Sequence, residues 1–278
     1  MKKVLVTTDL SKNAKAGLRF AIQLATQSPV ALTIFYSYHL MKPTSWSDTA
    51  FAVYRKSEAV KNQKKLDQYV NSIYKNKGLV PKNIKCVVKE AIMADSAIRE
   101  YALNNNFDYI CISKRGAGYL NKILGTTTSS LINFSTVPVV VVPHNYRTKS
   151  IKNLLYFSDL DNLDKELEKV VAFAHPLGAK VKLLHFNFSS KISYKKSTME
   201  ETVNKYPKSS IDLRYIDCDI TDSLVSKFNE FAVLIKPAML IMFTKQNRSF
   251  IEKIFYGSKS ESYSFSAKIP LLVFNKTA

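Results

Sequence analysis

The sequence predicts an α/β protein made of two tandem five-stranded parallel sheets, each with helices on both faces. Two observations lead to this fold class. Short apolar runs of strand length alternate with amphipathic helical segments along the 278 residues, and strands that are connected through helices pair in parallel. The second half of the chain then repeats the order of elements found in the first half, so that one unit occurs twice.

The first elements of the two halves match closely. An apolar strand covers residues 4–9 in the first half and 154–159 in the second, and each ends in an Asp-Leu pair followed by a candidate helix N-cap, Ser11 or Asp161. The next helix has one apolar face in each half, marked by Ala14, Leu18, Ala21, Ile22 and Ala25 and by Leu163, Leu167, Val170, Val171 and Ala174. Gly178 is the candidate C-cap of the second helix.

The remaining elements follow in the same order in both halves. The first half predicts strands at 31–37, 84–89, 109–112 and 137–142, and helices at 50–75 and 95–103. The second half predicts strands at 181–187, 211–215, 239–243 and 269–274, and a helix at 220–232.

The offset between the halves locates the domain boundary and the main difference in length. Asp9 and Asp159 are 150 positions apart, whereas Pro138 and Pro270 are 132 apart, so the second copy is 18 residues shorter. The residues that the second copy lacks would lie after its second strand, at the place where the first half has a long lysine-rich segment. A polar connector at 144–150 then separates a domain of residues 1–146 from a domain of residues 150–278.

The charge of the chain narrows the classes of function. The net charge is +19, and it is uneven, because residues 1–148 hold 21 Lys and Arg against 8 Asp and Glu while the rest hold 20 against 14. The lysines between Arg55 and Lys89 are spread as on a solvated helix face, without an RNA-binding or zinc-finger signature. Nucleic-acid binding is therefore not expected, and a polyanion or membrane-surface role is the alternative for this charge.

The sequence also predicts the compartment. No apolar run reaches the roughly 18–20 residues of a membrane span, and the N-terminus enters a strand pattern rather than a signal peptide.

Cys86, Cys111 and Cys218 are widely spaced and are predicted to be reduced thiols. The four histidines lack metal-ligand spacing, and no nucleophile–base pair is recognisable. We expect a cytoplasmic protein with no membrane partner, no metal site and no enzymatic activity.

A small-residue loop between the fourth and fifth strands is the best indication of function. Three of the seven glycines, Gly116, Gly118 and Gly125, lie here, and a hydroxyl-rich helix start follows. Backbone N–H groups freed by glycine and the positive end of a helix attract anions. The loop and Asp9 both follow strands, at the carboxyl edge where parallel sheets bind ligands. The pattern favours a phosphate site, although Gly116 can equally serve a turn and Asp9 can simply cap one.

These residues resemble the universal stress protein family over almost the whole chain, as two tandem domains. The family pattern is a first strand ending in Asp, a Gly-x2-Gly-x9-Gly-Ser/Thr loop, and an apolar strand introduced by Val-Pro. The first loop here reads Ser113-x2-Gly116-x8-Gly125-Thr126, with serine for the first glycine and one residue fewer. The second loop reads Thr244-x2-Asn247-x9-Gly257-Ser258, with both leading glycines replaced.

The resemblance implies Rossmann-like domains of the adenine nucleotide alpha hydrolase-like type. It also implies ATP or a related adenine nucleotide as the ligand of the first domain, with Mg²⁺ accompanying a triphosphate. The family loop surrounds the phosphates, and the first-strand Asp lies near the base and ribose. The implied nucleotide-binding residues are Asp9, Ser37, Ser113, Arg115, Gly116, Gly118, Gly125, Thr126, Thr127 and Thr128. A reduced second site would involve Asp159, Gly257 and Ser258.

The function that follows is that of a regulatory, cytosolic stress-response protein acting with a protein partner that the sequence does not identify. Two alternatives stay open. The first is a scaffold or interaction protein that has lost ATP binding, which the altered loops favour. The second is a slow ATPase or autophosphorylating enzyme that uses the hydroxyls of residues 126–130.

The last strands predict how the two domains associate. In the expected strand order each of these strands lies at a sheet edge, and an open edge as apolar as Val139 to Val142 invites aggregation. The sequence therefore predicts that residues 139–142 pair with residues 271–274 inside one chain, as in a dimer of the family. A homodimer of the whole chain is a further expectation.

Overall fold

A ten-stranded sheet runs through both halves of the chain in the computed structural model. The structure describes residues 1–114, 125–187, 192–207, 209–219, 221–244 and 268–275. The first half contains β1 (Lys2–Thr8), α1 (Lys15–Gln27), β2 (Val30–Tyr38), α2 (Asp48–Lys75), β3 (Ile84–Glu90), α3 (Ala94–Asn104), β4 (Tyr109–Lys114), α4 (Thr126–Phe134) and β5 (Val139–Pro143). The second half contains β6 (Asn153–Phe157), α5 (Leu163–Ala174), β7 (Lys180–Asn187), α6 (Ile192–Asn204), β8 (Ile211–Asp217), α7 (Leu224–Ile235), β9 (Met239–Phe243) and β10 (Leu271–Phe274).

The strand order is β3-β2-β1-β4-β5-β10-β9-β6-β7-β8. Neighbouring strands are parallel within each half, and β5 and β10 pair antiparallel at the centre. Val141 lies opposite Leu271 and Val139 lies opposite Val273. The strand pairing predicted from the sequence is therefore confirmed, and it joins two five-stranded sets into one sheet.

Helices cover both faces of this sheet, which confirms the predicted fold class. Residues of α1, α2, α5 and α6 belong to the apolar core on one face, and residues of α3, α4 and α7 belong to the core on the other. The side chains of β5 alternate between the two cores, with Val140 and Val142 in the first and Val139 and Val141 in the second. A strand buried on both faces has no polar side, which explains the uninterrupted valine run.

The connection from the first strand to the first helix differs from the prediction in both halves. The N-caps of α1 and α5 are Ala14 and Asn162, so the predicted caps Ser11 and Asp161 are wrong. Ser11 instead accepts a hydrogen bond from the backbone N–H of Ala14 at 3.2 Å, within the turn that precedes the helix.

A left-handed residue explains why each helix starts late. Leu10 has a φ of 61° and Leu160 a φ of 70°, a backbone region that leucine rarely occupies. The chain leaves each strand through this strained residue and enters the helix only after a further turn. The strain is present at the same place in both halves, which shows that the two copies share this turn.

The helix predicted at 220–232 is also displaced, because it begins at Leu224 and ends at Ile235. Ser223 is its N-cap, and the Ser223 hydroxyl accepts a hydrogen bond from the backbone N–H of Ser226 at 3.4 Å. Gly178, by contrast, ends the short 3₁₀ turn that continues α5, with a φ of 57°, which confirms its role as a C-cap.

Helix α2 accounts for much of the difference in length between the halves. It has 28 residues, whereas α6, which follows the equivalent strand of the second half, has 13. The buried residues of α2 begin only at Asn62. Its first turns are exposed, and Val53 and Val60 are 66% and 72% accessible to solvent. The fold therefore needs the second part of α2 for its core, and the first part projects beyond it.

The three cysteines are free thiols. Cys111 is fully buried, and Cys86 and Cys218 are partly buried. Burial, together with the nearby Asp67 carboxylate, raises the pKa of Cys86 to about 12. The reduced state predicted from the sequence agrees with these positions. Within the described ranges, no helix combines the length and the apolar character that crossing a bilayer requires.

A fragment of residues 1–146 is expected to self-associate. Removal of β10 exposes the backbone of β5, whose five residues are buried in the full chain, and an open apolar edge favours pairing with another copy. Light scattering of the fragment should give the mass of a dimer or a larger species. The full chain at the same concentration is the control. A folded fragment that remains monomeric would contradict the importance of this strand pairing.

Candidate functional site

A cleft of about 330 Å³ opens at the carboxyl ends of β1, β2 and β4 in the first half. Its walls come from these strand ends, from the turn before α1, and from the starts of α3 and α4. The elements meet here because all strands of one parallel set point the same way, so that the loops after them gather at a single edge.

The cleft brings together seven of the residues predicted from the sequence. They come from separate segments of the chain and are Asp9, Ser37, Ser113, Gly125, Thr126, Thr127 and Thr128. The predicted residues Arg115, Gly116 and Gly118 lie outside the described residues, and so do Gly257 and Ser258 of the second half. Asp159 follows β6 in the second half, away from this cleft.

The N-terminus of α4 faces the cleft. Gly125 is the N-cap and has no side chain to accept a hydrogen bond from the first turn, and the first intrahelical bond runs from the N–H of Ser129 to the carbonyl of Gly125. The N–H groups of Thr126, Thr127 and Thr128 therefore have no acceptor within the helix. Together with the positive end of the helix dipole, they form a site for an anion.

Gly125 is not required by the backbone at its position. Its φ is −48° and its ψ is 148°, which any residue adopts, and a Cβ placed there would meet no atom of the described residues within 4 Å. The described part of the protein would therefore accept a side chain at Gly125. A side chain would instead occupy space in the cleft beside the free N–H groups.

Ser37 provides a polar group without a partner. Its hydroxyl oxygen is buried and has no hydrogen-bond partner among the described residues. A buried hydroxyl of this kind costs free energy unless something bonds to it. Because Ser37 lines the cleft, a ligand is the natural source of that bond.

Asp9 shapes the turn at the end of β1. Its Oδ1 accepts a hydrogen bond from the N–H of Ser11 at 3.0 Å. In the second half, Oδ1 of Asp159 accepts one from the N–H of Asp161 at 2.9 Å. The two aspartates thus hold the same turn in both copies, and Asp9 in addition reaches the cleft surface.

Ser113, which replaces the first glycine of the family loop, is tied to α1. Its hydroxyl accepts a hydrogen bond from the N–H of Gly17 at 2.6 Å and donates one to the carbonyl of Ala14 at 3.0 Å. The hydroxyl therefore caps the first turn of α1, whose N-cap Ala14 has no side chain able to do so. Ser113 lines the cleft, but its hydroxyl is already bonded on both sides.

Gly17 is a residue whose importance the sequence did not indicate. A Cβ added to it would lie 2.9 Å from Oγ of Ser113, closer than atoms normally approach. The serine in β4 and the glycine in α1 are thus a matched pair across 96 positions of the chain.

The apolar wall of the cleft was also missed. It consists of Phe35 from β2, Ile98 from α3 and Ile112 from β4, together with Ala94 at the start of α3. From the sequence, these residues are indistinguishable from the core. Only the direction of the strands and the position of α3 show that they border an opening.

Charge and burial around the cleft have clear effects on ionisation. Burial, with a smaller contribution from the charge of Asp9, raises the pKa of Tyr69 to about 12, against the lowering effect of a hydrogen bond with Thr8. The Tyr69 hydroxyl donates to the carbonyl of Ser11 at 3.3 Å, so α2 supports the turn that carries Asp9. Burial lowers the pKa of Lys114 at the end of β4.

Phenylalanine rings occupy the corresponding place in the second half. Asp9 and Asp159 hold the same turn in the two halves, so Thr7, two residues before Asp9, corresponds to Phe157. Thr7 lies opposite Phe35, and Phe157 lies opposite Leu184. Phe35 therefore corresponds to Leu184, and Ser37 corresponds to Phe186. The strand ranges predicted from the sequence, 31–37 and 181–187, place Ser37 opposite Asn187 in the repeat and are therefore one residue out of register.

These rings form a closed cluster. Phe157 contacts Phe186 and Phe228 at centroid distances of 5.7 and 6.0 Å, and Phe186 contacts Phe231 at 5.8 Å. Phe228 in α7 corresponds to Ile98 in α3, since both are the fifth residue of their helix. Polar and smaller residues that border the cleft in the first half are thus replaced by packed aromatic side chains. In the described part of the second half, this place is filled by core.

Metal-binding groups are not gathered at the cleft or elsewhere in the described part of the chain, where no cluster of three or more His, Cys, Asp or Glu residues could hold an ion. Asp9 is the acidic residue among those that line the cleft.

The architecture is that of an α/β nucleotide-binding fold, and comparison with known proteins identifies the family. The model of the Universal stress protein family matches residues 1–143, so the chain belongs to this family. A universal stress protein from Archaeoglobus fulgidus has the same fold, with 17% identity over 99% of this chain and 98% of that one and a TM-score of 0.68. A putative universal stress protein from Pseudomonas aeruginosa is similar over 99% and 93% of the two chains, with 12% identity and a TM-score of 0.55. None of the curated proteins matches this chain.

The pairing of Ser113 with Gly17 predicts a coupling between the two positions. Ser113→Ala should lower the free energy of unfolding by about 1 kcal/mol, through loss of the helix cap. Gly17→Ala should destabilise the wild type, because its Cβ meets Oγ of Ser113, even though alanine favours helices by up to about 1 kcal/mol.

The double variant should be more stable than the sum of the two changes indicates, by about 1 kcal/mol. Urea denaturation of the four proteins measures this coupling. Strictly additive effects would show that the serine and the glycine do not constrain one another.

Proposed function

We propose that this protein is a cytoplasmic stress-response protein and that the first half of the chain binds ATP or a related adenine nucleotide in the cleft. The bound nucleotide would have a regulatory role and would not be a substrate for catalysis. The observation that carries the proposal is the N-terminus of α4, which presents three N–H groups without helical acceptors to a cleft at the carboxyl edge of the sheet. Membership of the universal stress protein family, which has members that bind ATP, supports the choice of ligand.

The phosphates would lie at the start of α4. The N–H groups of residues 126–128 and the hydroxyls that follow Gly125 are donors, and the helix dipole adds positive potential. The absence of a Cβ on Gly125 lets a phosphate approach the backbone closely. Lys114, whose pKa is lowered by burial, would regain stability as a cation once a negative charge is nearby.

The nucleoside would lie towards β1 and β2. Phe35, Ile98 and Ile112 provide an apolar surface for the base, and the Ser37 hydroxyl provides an unpaired hydrogen-bonding group beside it. Asp9 at the mouth of the cleft can accept a hydrogen bond from a ribose hydroxyl or an exocyclic amine. A cleft of about 330 Å³ is within the usual range for small-molecule sites.

Mg²⁺ would enter with a triphosphate. This ion takes oxygen ligands, generally one or two carboxylates together with phosphates and waters. The described lining of the cleft offers one carboxylate, Asp9, and threonine hydroxyls, so most of the ligands of such an ion would come from the nucleotide and from water.

A regulatory role is favoured over catalysis by the groups that border the cleft. Asp9, the acid among them, is engaged through Oδ1 in the turn at the end of β1. The Ser113 hydroxyl is bonded on both sides. Groups held in this way are suited to binding, and occupancy of the cleft would be read by a protein partner that recognises the ordered surface around it.

Gly125→Val should weaken ATP binding by roughly tenfold or more, because its side chain excludes phosphate from the helix N-terminus. The cost in unfolding free energy should stay below about 1 kcal/mol, since glycine is not needed by the backbone there. Isothermal titration of ATP measures the affinity, and Gly125→Ala should give an intermediate loss. Equal affinity in wild type and Gly125→Val would exclude this loop as the phosphate site.

Ser37→Ala tests the nucleoside end of the cleft. Removal of an unpaired buried hydroxyl should change the free energy of unfolding by less than about 0.5 kcal/mol. Loss of its bond to the ligand should weaken ATP binding roughly threefold to tenfold. Ser135→Ala is the matched control for stability, because the buried Ser135 hydroxyl donates to the carbonyl of Val137 and its removal should destabilise the fold. If Ser37→Ala leaves the affinity unchanged, the nucleoside does not bond to this hydroxyl.

A further inference from the structure

A second cavity, of about 370 Å³, lies between the two halves at the amino ends of the strands. The first half borders it with the starts of β1, β2 and β4 and the end of α1, and the second half borders it with the end of α5 and the turn that follows. We call it the junction cavity. Its residues are different from those of the cleft at α4. Most of them are apolar, and they include Leu24, Val30, Tyr109, Phe173 and Leu177.

The equivalent place in the second half is filled by the chain itself. Strands β1 and β6 are 150 positions apart, as the aspartates that follow them show, so Ile151 corresponds to Met1. Ile151 is 1% exposed and belongs to the apolar core, whereas Met1 borders the junction cavity and is 76% exposed. The residue that follows the connector thus occupies in one copy the place that stays open in the other.

A glutamine holds the chain in the filled copy. Oε1 of Gln27, the last residue of α1, accepts a hydrogen bond from the N–H of Ile151 at 2.8 Å, and Nε2 donates to the Ser150 hydroxyl at 3.2 Å. Pro176 has the corresponding position after α5, because Gln27 and Pro176 each lie four residues before the same register position of the next strand. Proline has no side-chain amide, so the group that anchors a backbone segment in one copy has no counterpart in the other.

Tyr109 instead brings a hydroxyl to the junction cavity. Val4 lies opposite Tyr109 and Leu154 lies opposite Met239, so a methionine has this position in the second half. Tyr109 is 7% exposed, and its ring packs edge-on against Phe173 at 5.4 Å. Its hydroxyl has no hydrogen-bond partner among the described residues, yet it is not one of the polar atoms that are sealed from solvent. The hydroxyl therefore opens on the cavity, and burial raises its pKa, which keeps it neutral.

The charges at the rim of the junction cavity neutralise each other. Nζ of Lys2 lies 2.7 Å from Oδ1 of Asp108, and Oδ2 of Asp108 accepts a hydrogen bond from the N–H of Lys3 at 2.8 Å. The described lining contains one cation and one anion, and they are paired with each other. A neutral ligand is therefore favoured over an ion.

We propose that the junction cavity binds a small neutral molecule that has an aromatic or branched aliphatic body and one hydrogen-bonding group. The body would take the place that Ile151 fills in the second half, against Leu24 and Phe173, and the polar group would bond to the Tyr109 hydroxyl. Apolar burial supplies most of the affinity at such a site, and a single polar group fixes the orientation of the ligand. Because both halves line the cavity, a bound molecule would also stabilise their association.

Indole is the probe, because it has an apolar ring system and one N–H that can donate to the Tyr109 hydroxyl. Indene has nearly the same shape without the N–H and is the matched ligand. The full-length protein is titrated with each, and the ¹H–¹⁵N resonances of the amides of Leu24, Tyr109 and Phe173 are followed. Indole should give saturable shifts, and indene should bind roughly threefold to tenfold more weakly, since one hydrogen bond is lost.

Two variants test the position of the ligand. Tyr109→Phe keeps the ring beside Phe173, so it should lower the affinity for indole roughly threefold to tenfold and leave the affinity for indene unchanged. Ala172→Met places a long side chain at the exposed rim of the cavity and should weaken the binding of both ligands roughly tenfold or more. Lys165→Met, an exposed position of the same helix that does not border the cavity, is the matched control and should bind as the wild type does. Thermal unfolding verifies that each variant is folded.

Four results would overturn the proposal. They are the absence of saturable shifts at Leu24, Tyr109 and Phe173, shifts confined to residues 126–128, equal affinity of the wild type for indole and indene, and an equal loss of binding in Lys165→Met. A peptide of residues 148–152 is titrated in parallel. If this peptide binds at the junction cavity and indole does not, the cavity is a site for a chain segment, and the proposal of a small-molecule ligand is wrong.

Discussion

The antiparallel pairing of β5 with β10 is the constraint on which the rest of the structure depends. Both strands are buried on both faces, so neither could remain an exposed edge without presenting apolar side chains and open backbone groups. Their pairing makes the apolar cores on the two faces of the sheet continuous between the halves. Tyr109 of β4 packs edge-on against Phe173 of α5 across this junction, at 5.4 Å.

The two halves have the same fold but differ at the carboxyl edge of the sheet. In each half the strand ends gather at one edge, and the same strained turn carries an aspartate there. In the first half that edge borders small and polar residues and stays open. In the second half Phe157, Phe186 and Phe228 fill the corresponding positions. The second copy thus contributes the partner strand and core that the first needs, while the open cleft lies in the first.

Much of this could be predicted from the sequence, because it depends on local patterns. The valine run predicted an apolar strand and its pairing with residues 271–274, and the Gly125-Thr126 pair predicted a helix start at the carboxyl edge. The late starts of α1 and α5 could not be predicted, since nothing in the sequence indicates that Leu10 and Leu160 adopt positive φ.

Contacts between distant segments were equally out of reach. The bond from the Gly17 N–H to Ser113 joins residues 96 positions apart, and only the packing of α1 on β4 brings them together. The correspondence of Ser37 with Phe186 depends on a one-residue difference in strand register. In strands, such a slip moves a side chain to the opposite face, so a sequence comparison that is one position wrong exchanges a core residue for a site residue.

The central claim is that one half of this two-copy protein binds the nucleotide, at the start of α4. Hydrogen–deuterium exchange of the full chain with and without ATP tests it most directly. We expect slower exchange at the amides of Thr126, Thr127 and Thr128 and in the turn after β1, with no change in the equivalent turn at Asp159 to Asn162. Protection of the second-half turn, or none at residues 126–128 when ATP is bound, would contradict the account.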